Sequence, residues 1–439
     1  MINKPPDWKK IISPGLLIRA MESKELHLLL QHAGKECVYW DKFKYYSPPA
    51  GFSIEEAWAY LKFSRQTSRE QTQVSDKNQN PFWFTPTKTM YQELSFIDSN
   101  TSGLLSTDQK KPTEKQKNQL IISGLSEEAI ASSQIEGAST SMKIAKEMIL
   151  SQRKSRNRDE QMILNNYQVM QKLMDWKDLQ LSKEMLLDIQ KHITTRTLDD
   201  ENDSGRFRSD SDDIQVVGRM LGTTVFTPPE SSIFSGELDK LINFANSKDE
   251  EFIHPIIKAS ILHFWLAYLH PFVDGNGRTA RALFYWYLLK NDYWLFQYLS
   301  VSKAIKKTRT QYDEAYLKTE LDDNDLTYFI LFILKSIKIS VKDFVTQYEK
   351  RIKEDKQNET ITKQLSKFNE RQVSLLRDLQ NKPEKTVEIK GYQSYNQIAY
   401  QTARTDLMTL ASKGLLTRFA DNNKYLFVPN NLAIKKLLK

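Results

Sequence analysis

Two apolar helical runs, residues 254–270 and 277–291, are separated only by the text Leu269-His270-Pro271-Phe272-Val273-Asp274-Gly275-Asn276-Gly277-Arg278-Thr279-Ala280-Arg281. Nothing else in the chain restricts its folding so strongly. Pro271 cannot continue a helix and pushes the residue before it out of helical geometry, so His270 is delivered at a helix end. Gly275 and Gly277 flank Asn276 and permit positive φ and close backbone approach. Successive amides in such a turn form an anion-binding concavity. The second helix starts there, so its N-terminal amides and dipole point to the same place. Arg278 and Arg281 lie three apart on one helix face, and guanidinium forks match phosphate oxygens. The expected unit is a helix–loop–helix closed around a phosphate cradle.

The remaining polar residues give that cradle a chemistry. Asp274 is a hard oxygen ligand suited to Mg²⁺ carried by nucleotide phosphates. His270 is a base near neutral pH. Positioning, charge neutralisation and one proton acceptor are what in-line phosphoryl or nucleotidyl transfer requires. The chain has neither a G-x-x-x-x-G-K-[ST] nor a G-x-G-x-x-G stretch, so the cradle is of another kind. His263 lies seven residues before His270. The two with Asp274 could suggest a metal-dependent hydrolase site, but a buried structural histidine that orients its neighbours is the favoured reading.

A chain of 439 residues is too long for one ordinary core and is expected to divide into about two to four units. Its 40% hydrophobic and 27% charged residues suit a soluble globular protein. No run reaches the ~20 apolar residues of a membrane span, and the first residues, Met1 to Asp7, show no secretory h-region. Cys37 is the single cysteine; it excludes an internal disulfide and a multi-cysteine zinc site, and a reducing cytoplasm is expected. The net charge of +8 is compatible with phosphate-bearing ligands or nucleic acid and identifies neither.

Along the chain, residues 66–81 and 100–118 read as polar connections. From about 119 the pattern turns helical, with Leu120, Ile121, Leu125, Ile130 and Ile135 at helical intervals and Gly137 placed to end the helix. Met142 to Met174 and Ser182 to Thr195 read as two further helices. Val216, Val217, Val225 and Phe226 flank Gly218 and Gly222 as a hairpin would, closed off by Pro228-Pro229. Helical periodicity returns at 235–248, 254–270, 277–291 and about 326–368.

The run His270 to Arg281 resembles the full signature of the Fic (filamentation induced by cAMP) domain family, H-P-F-x-[D/E]-G-N-G-R-x-x-R, and the likeness extends over roughly residues 115–345. The resemblance implies a mainly α fold: a helical core with a β-hairpin flap. It implies a protein adenylyltransferase that moves AMP from ATP to Ser, Thr or Tyr hydroxyls of a target protein or of itself. By that resemblance His270 is the catalytic base and Asp274 holds Mg²⁺. Gly275, Asn276, Gly277 and Arg278 hold the phosphates, and Arg281 takes the γ-phosphate. Ser132-Ser133-Gln134-Ile135-Glu136-Gly137 is similar to the family's inhibitory pattern [S/T]-x-x-x-E-[G/N], with Ser132, Glu136 and Gly137 at its marked positions. Glu136 would pair with Arg281 and keep ATP in an unproductive pose, placing the inhibitory helix at about 119–137. The hairpin, through Val216, Val217, Val225 and Phe226, would be the flap that docks the target by strand pairing. Where relatives carry Tyr-Tyr, this chain reads Gln311-Tyr312-Asp313, which leaves base preference open.

Residues 369–439 resemble a winged helix-turn-helix domain. Gln372 to Leu379 is one helix, Gln401 to Leu410 the recognition helix, and Thr417 to Val428 the wing. Lys413, Arg418 and Lys424 are candidate phosphate contacts, with DNA as a candidate partner. The expected organisation is an N-terminal accessory region at 1–114, the Fic domain at 115–345, a linker helix at 346–368 and the winged helix at 369–439. A homodimer through either flank is a further expectation, and a membrane partner is not. Two other functional readings stand beside the transferase: a hydrolase that removes AMP at the same site, and a DNA-binding regulator whose core senses nucleotide.

Overall fold

The computed structural model describes residues 2–35, 37–103, 114–217, 224–247, 252–364, 367–421 and 424–438. The fold is mainly helical. Its centre is the antiparallel pair Pro255–Leu269 and Asn276–Lys290, which is buried on nearly every side. A helix that is apolar all round must be enclosed, and five others enclose this pair: Glu114–Ile135, Arg158–Trp176, Lys183–Thr194, Ser231–Asn246 and Thr327–Gln364. Trp265, Phe264, Tyr285 and Trp286 fill the space between them.

The N-terminal region builds a second core around Trp40, Phe43 and Trp58. It is fastened to the first by a buried ion cluster. Lys62, with no exposed surface, donates to Asp322 at 3.0 Å and Asp325 at 2.9 Å. Trp83 adds an indole bond to the Asp323 carbonyl at 2.6 Å. A buried cation stands only where carboxylates replace its water, so this seam is specific as well as apolar.

Two stretches differ from the sequence reading. Residues 66–81 are not a plain connection: Glu70–Ser75 pairs antiparallel with Pro81–Phe84, and Thr72 and Val74 turn inward. The span Met142 to Met174 is two helices, Met142–Ser151 and Arg158–Trp176. Left-handed Gln152 ends the first, and the Asn157 side chain caps the second by accepting from the Glu160 amide. The helical stretch expected over about 326–368 is the helix Thr327–Gln364.

Strands Val216–Val217 and Thr224–Phe226 pair antiparallel, Val216 opposite Phe226; Gly218 and Gly222 lie outside the described residues. At the C-terminus, helices Glu370–Asn381, Ile389–Asn396 and Tyr400–Ser412 pack on a three-stranded sheet. In it Lys424–Pro429 lies between Val387–Glu388 and Leu416–Asp421. The turn residues 422 and 423 lie outside the described residues. This unit has its own core of Leu376, Leu379, Leu407, Leu410 and Phe427.

Candidate active site

Helix Pro255–Leu269 stops at His270, which adopts φ 49° and ψ 54°. That left-handed geometry costs a non-glycine residue roughly 1–2 kcal/mol, and Pro271 bars the right-handed helical alternative. The imidazole Nδ1 stands 3.2 Å from the Ala267 carbonyl. A proton on Nδ1 satisfies that oxygen and leaves Nε2 as the accepting nitrogen. Burial holds the His270 pKa below its ordinary range, so the ring is a neutral base at pH 7. Arg208 fixes the turn from outside: its Nε donates to the His270 carbonyl at 2.7 Å, and its amide to the Pro271 carbonyl at 2.9 Å.

The loop after Pro271 closes on itself. Asn276 accepts from the Phe272 amide at 2.9 Å and donates to the Phe272 carbonyl at 2.7 Å. Its side chain is therefore spent on the loop, and only its main chain remains for a ligand. Gly275 takes φ 87°, and a Cβ there would press on Thr194. The Thr279 amide is the first to bond back, to the Gly275 carbonyl at 2.8 Å, so the amides of Asn276, Gly277 and Arg278 make no helical bond. Three such donors gathered at one helix start could hold an anion.

The two arginines differ. Arg278 is 1% exposed, donates to the Ile193 carbonyl at 3.1 Å and pairs with Asp274 at 3.1 Å. It supports the loop as much as it faces a ligand. Arg281 is turned the other way. Its Nε donates to Ser132 Oγ at 2.8 Å, and its Nη2 to the Ser132 carbonyl at 3.1 Å and Glu136 Oε1 at 2.7 Å. Burial pushes Glu136 up, yet the charges of Arg281, Arg309 and Arg278 outweigh it and hold the carboxyl at about 2. Glu136 also lies directly over Gly277, where an added Cβ would run into its carboxylate. The glutamate therefore occupies the space beside the start of helix Asn276–Lys290. Gly137 follows at φ 109°, a conformation that suits glycine.

Around this centre stand the other sequence candidates. Phe226 rests on Tyr268, ring centres 5.2 Å apart, so the paired strands Val216–Val217 and Thr224–Phe226 lie beside the helix that carries His270. Asp274 keeps its side chain 45% exposed while accepting from the Gly275 amide at 2.6 Å. A single accessible carboxylate beside a phosphate cradle fits a Mg²⁺ ion brought in by nucleotide phosphates. His263 is buried and bonded through Nε2 to Tyr312 Oη at 2.9 Å. Burial and then the charge of Arg281 pull its pKa down to about 3. Tyr312 is packed among His263, Phe329 and Phe332, and Asp313 pairs with Arg309 at 2.8 Å.

Three residues that sequence reasoning passed over shape the site. Arg208 clamps the His270 turn. Gln190 donates to the Asp274 carbonyl at 3.2 Å and accepts from the Gly205 amide at 2.6 Å, tying the loop to the preceding segment. Arg309 donates to the Ile135 carbonyl at 2.7 Å and closes the end of helix Glu114–Ile135. Arg208 and Arg309 stand in unpatterned polar text and Gln190 sits within the helix read at Ser182 to Thr195, so no local pattern marked them.

Comparison with known proteins follows the same lines. Residues 180–288 match the sequence profile of the Fic/DOC family. A protein adenylyltransferase Fic of Nematostella vectensis is 32% identical over 123 residues, 27% of this chain and 27% of that protein. Protein adenylyltransferase fic-1 of Caenorhabditis elegans is 29% identical over 133 residues, 29% of this chain and 25% of that protein. The chain thus matches only about a quarter of the length of these curated relatives. A crystal structure of a Fic family protein from Desulfovibrio desulfuricans G20 superposes with a TM-score of 0.52 at 18% identity, covering 79% of this chain and 98% of that one, a likeness of fold.

Proposed function

We propose that this protein is an adenylyltransferase that moves AMP from ATP to a hydroxyl side chain of a target protein, and that Glu136 holds it off; the match of residues 180–288 to the Fic/DOC family profile supports the reading. The observation that carries the reading is the 2.7 Å pair of Glu136 and Arg281 set over Gly277, seven residues on from the His270 ring, whose Nε2 is the accepting nitrogen.

In the proposed reaction, His270 Nε2 accepts the proton of a Ser, Thr or Tyr hydroxyl. That oxygen bonds to the α-phosphorus of ATP, the bond from the α-phosphorus to the bridging oxygen breaks, and pyrophosphate leaves with the electron pair. The amides of Asn276, Gly277 and Arg278 hold the phosphate oxygens, with the Arg278 guanidinium behind them. Mg²⁺ held by Asp274 would supply charge neutralisation on the phosphates. Arg281 is the anchor for the γ-phosphate, and it is engaged while Glu136 is in place. The strands Val216–Val217 and Thr224–Phe226 offer an edge on which a target segment would pair. Self-modification is part of the same reading.

For the C-terminal elements we propose a winged helix-turn-helix. The unit's separate core and a Tyr400–Ser412 helix that packs chiefly on its own neighbours support that reading. Exposed Lys413 and Arg418 are cations suited to duplex phosphates. A salt-dependent mobility shift of short duplex DNA that Arg418→Ala weakens tests it; no shift at low salt removes DNA as a partner.

The transferase is tested with purified protein, Mg²⁺ and α-labelled ATP. Faint self-labelling in the wild type, strong labelling in Glu136→Gly and none in Glu136→Gly with His270→Ala is the expected pattern. Glu136→Gly labelling no better than the double variant would defeat the inhibition. Loss of AMP from a pre-labelled protein, dependent on Glu136, would favour removal of AMP as the direction of the reaction.

A further inference from the structure

Helix Glu114–Ile135 delivers Glu136, so whatever seats this helix decides where the carboxylate stands. Its middle is anchored deep in the core. Glu128 is buried and accepts from Tyr285 Oη at 2.7 Å, Ser300 Oγ at 3.1 Å and the Ser302 amide at 2.9 Å. Gly124 lies so close to the Tyr298 main chain that an added Cβ would overlap it.

At the far end the support comes from another unit. Gln119, 8% exposed, donates through Nε2 to the Tyr395 carbonyl at 2.6 Å. Its amide oxygen accepts from Arg351. Arg351 also donates to Tyr395 Oη at 3.2 Å, with its guanidinium 5.7 Å from the centre of the Tyr395 ring. After Gly137 the next helix, Met142–Ser151, packs on the same element, Ile389–Asn396, and Gln152 donates to Ser394 Oγ at 3.3 Å. The two segments that bracket Glu136 therefore both lean on one helix of the C-terminal unit.

The lever is simple. A helix is stiff along its axis, and the Gly124 and Glu128 anchors stand between Gln119 and Glu136. Tilting one end about such a pivot displaces the other, and an ion pair at 2.7 Å does not follow a displacement of an ångström or more without weakening. The Gln119 contact is also the breakable one. It is hydrogen-bonded and half-exposed on its partner side, whereas the Glu128 contact is closed to water.

We propose that Arg351 and Tyr395 are positioning residues: through Gln119 they make the C-terminal unit part of the device that keeps Glu136 on Arg281. This rests on the autoinhibited reading above. Movement of the C-terminal unit then loosens helix Glu114–Ile135 and exposes Arg281 to nucleotide, without any change in the loop that carries His270.

The test uses the full chain with Arg351→Ala and Tyr395→Ala, each alone and combined with Glu136→Gly. Two readouts are taken: hydrogen–deuterium exchange of amides 119–135, and labelling by α-labelled ATP with Mg²⁺. The expected result is exchange about ten-fold faster in that helix for both variants, with helix Asn276–Lys290 unchanged. Labelling should rise about five- to ten-fold over wild type, with no added rise in the Glu136→Gly background. Unchanged exchange in both variants overturns the proposal whatever the labelling does. Faster exchange with unchanged labelling, while Glu136→Gly labels strongly, overturns the link to Glu136 and leaves autoinhibition standing. Lower labelling in both backgrounds marks general damage and also overturns it. If Glu136→Gly fails to label, autoinhibition falls, and the exchange data still decide whether the C-terminal unit seats the helix.

Discussion

The loop His270 to Arg281 and the helix Glu114–Ile135 meet where Arg281 bonds Ser132 and pairs with Glu136 at the helix end, yet they are held in different ways. The loop is closed largely by its own residues: Asn276 clasps Phe272, Asp274 takes the Gly275 amide, and Arg278 reaches back to Asp274. The helix is held by residues distant in the chain, among them Tyr285, Ser302, Arg309 and Tyr395. A loop closed by local bonds survives the loss of any one tertiary contact. A helix held by remote contacts can be lifted while the loop stands. In the proposed reading the chemistry and its restraint are therefore separately removable.

The sharpest way to break this comparison is at the base. In a Glu136→Gly background, His270→Ala should lower AMP transfer by about 10²–10⁴-fold with little change in melting temperature. Transfer within a few-fold of the parent would remove His270 from the role. Next in size, Glu136→Gly alone should raise labelling by about 5–150-fold, the range of a typical coupling between two sites. An unchanged signal would mean that the helix does not restrain the loop.

Two glycine substitutions then separate the regions. Gly124→Ala overpacks the helix against Tyr298, costs about 1–3 kcal/mol of stability, and should raise labelling. Gly275→Ala strains a residue at φ 87° inside the loop, costs about 1–3 kcal/mol, and should lower it. Thermal melts and labelling together check both, and changes of the same sign would erase the distinction drawn here.

The smallest effects concern pH. The folded Glu136 pKa, about 2, lies below the ordinary value of about 4.3. Its pairing stabilises the fold fully above that ordinary value and is lost only as pH falls through the folded one. Wild-type labelling should therefore not rise between pH 7 and pH 5. His270 is shifted down by burial, so it stays a neutral base as pH falls through its ordinary value of about 6.5. The acid limb of the Glu136→Gly rate profile should lie below that value. A limb at or above it would mean that His270 is more solvated than its packing indicates.

How far the sequence could be read follows the same division. The helix ends at His270 and Asn276, the positive φ of Gly275 and Gly137, and the placing of two arginines on one helix all depend on neighbours within a few residues, and all are visible in the text. The hairpin Glu70–Ser75 with Pro81–Phe84 was hidden because its first strand is mostly polar: pairing and a covering core, not composition, make it a strand. The break between Met142–Ser151 and Arg158–Trp176 was legible in principle, since Asn157 followed by Glu160 is a capping signal, but the apolar period on both sides masked it.

By itself, then, the sequence determined the geometry of the loop, the residue types that could move a proton and hold a phosphate, and the carboxylate fit to oppose them, because short-range sterics and charge govern each. Only the tertiary structure decided that Asn276 is spent on closing the loop, that Arg208 and Gln190 brace it, and that Glu136 lies over Gly277. It also decided that the helix bearing Glu136 ends against Arg351 and Tyr395. Apart from the Asn276 clasp on Phe272, those contacts join residues tens to hundreds of positions apart, and no local energy term fixes which of many polar side chains will meet once the core has closed.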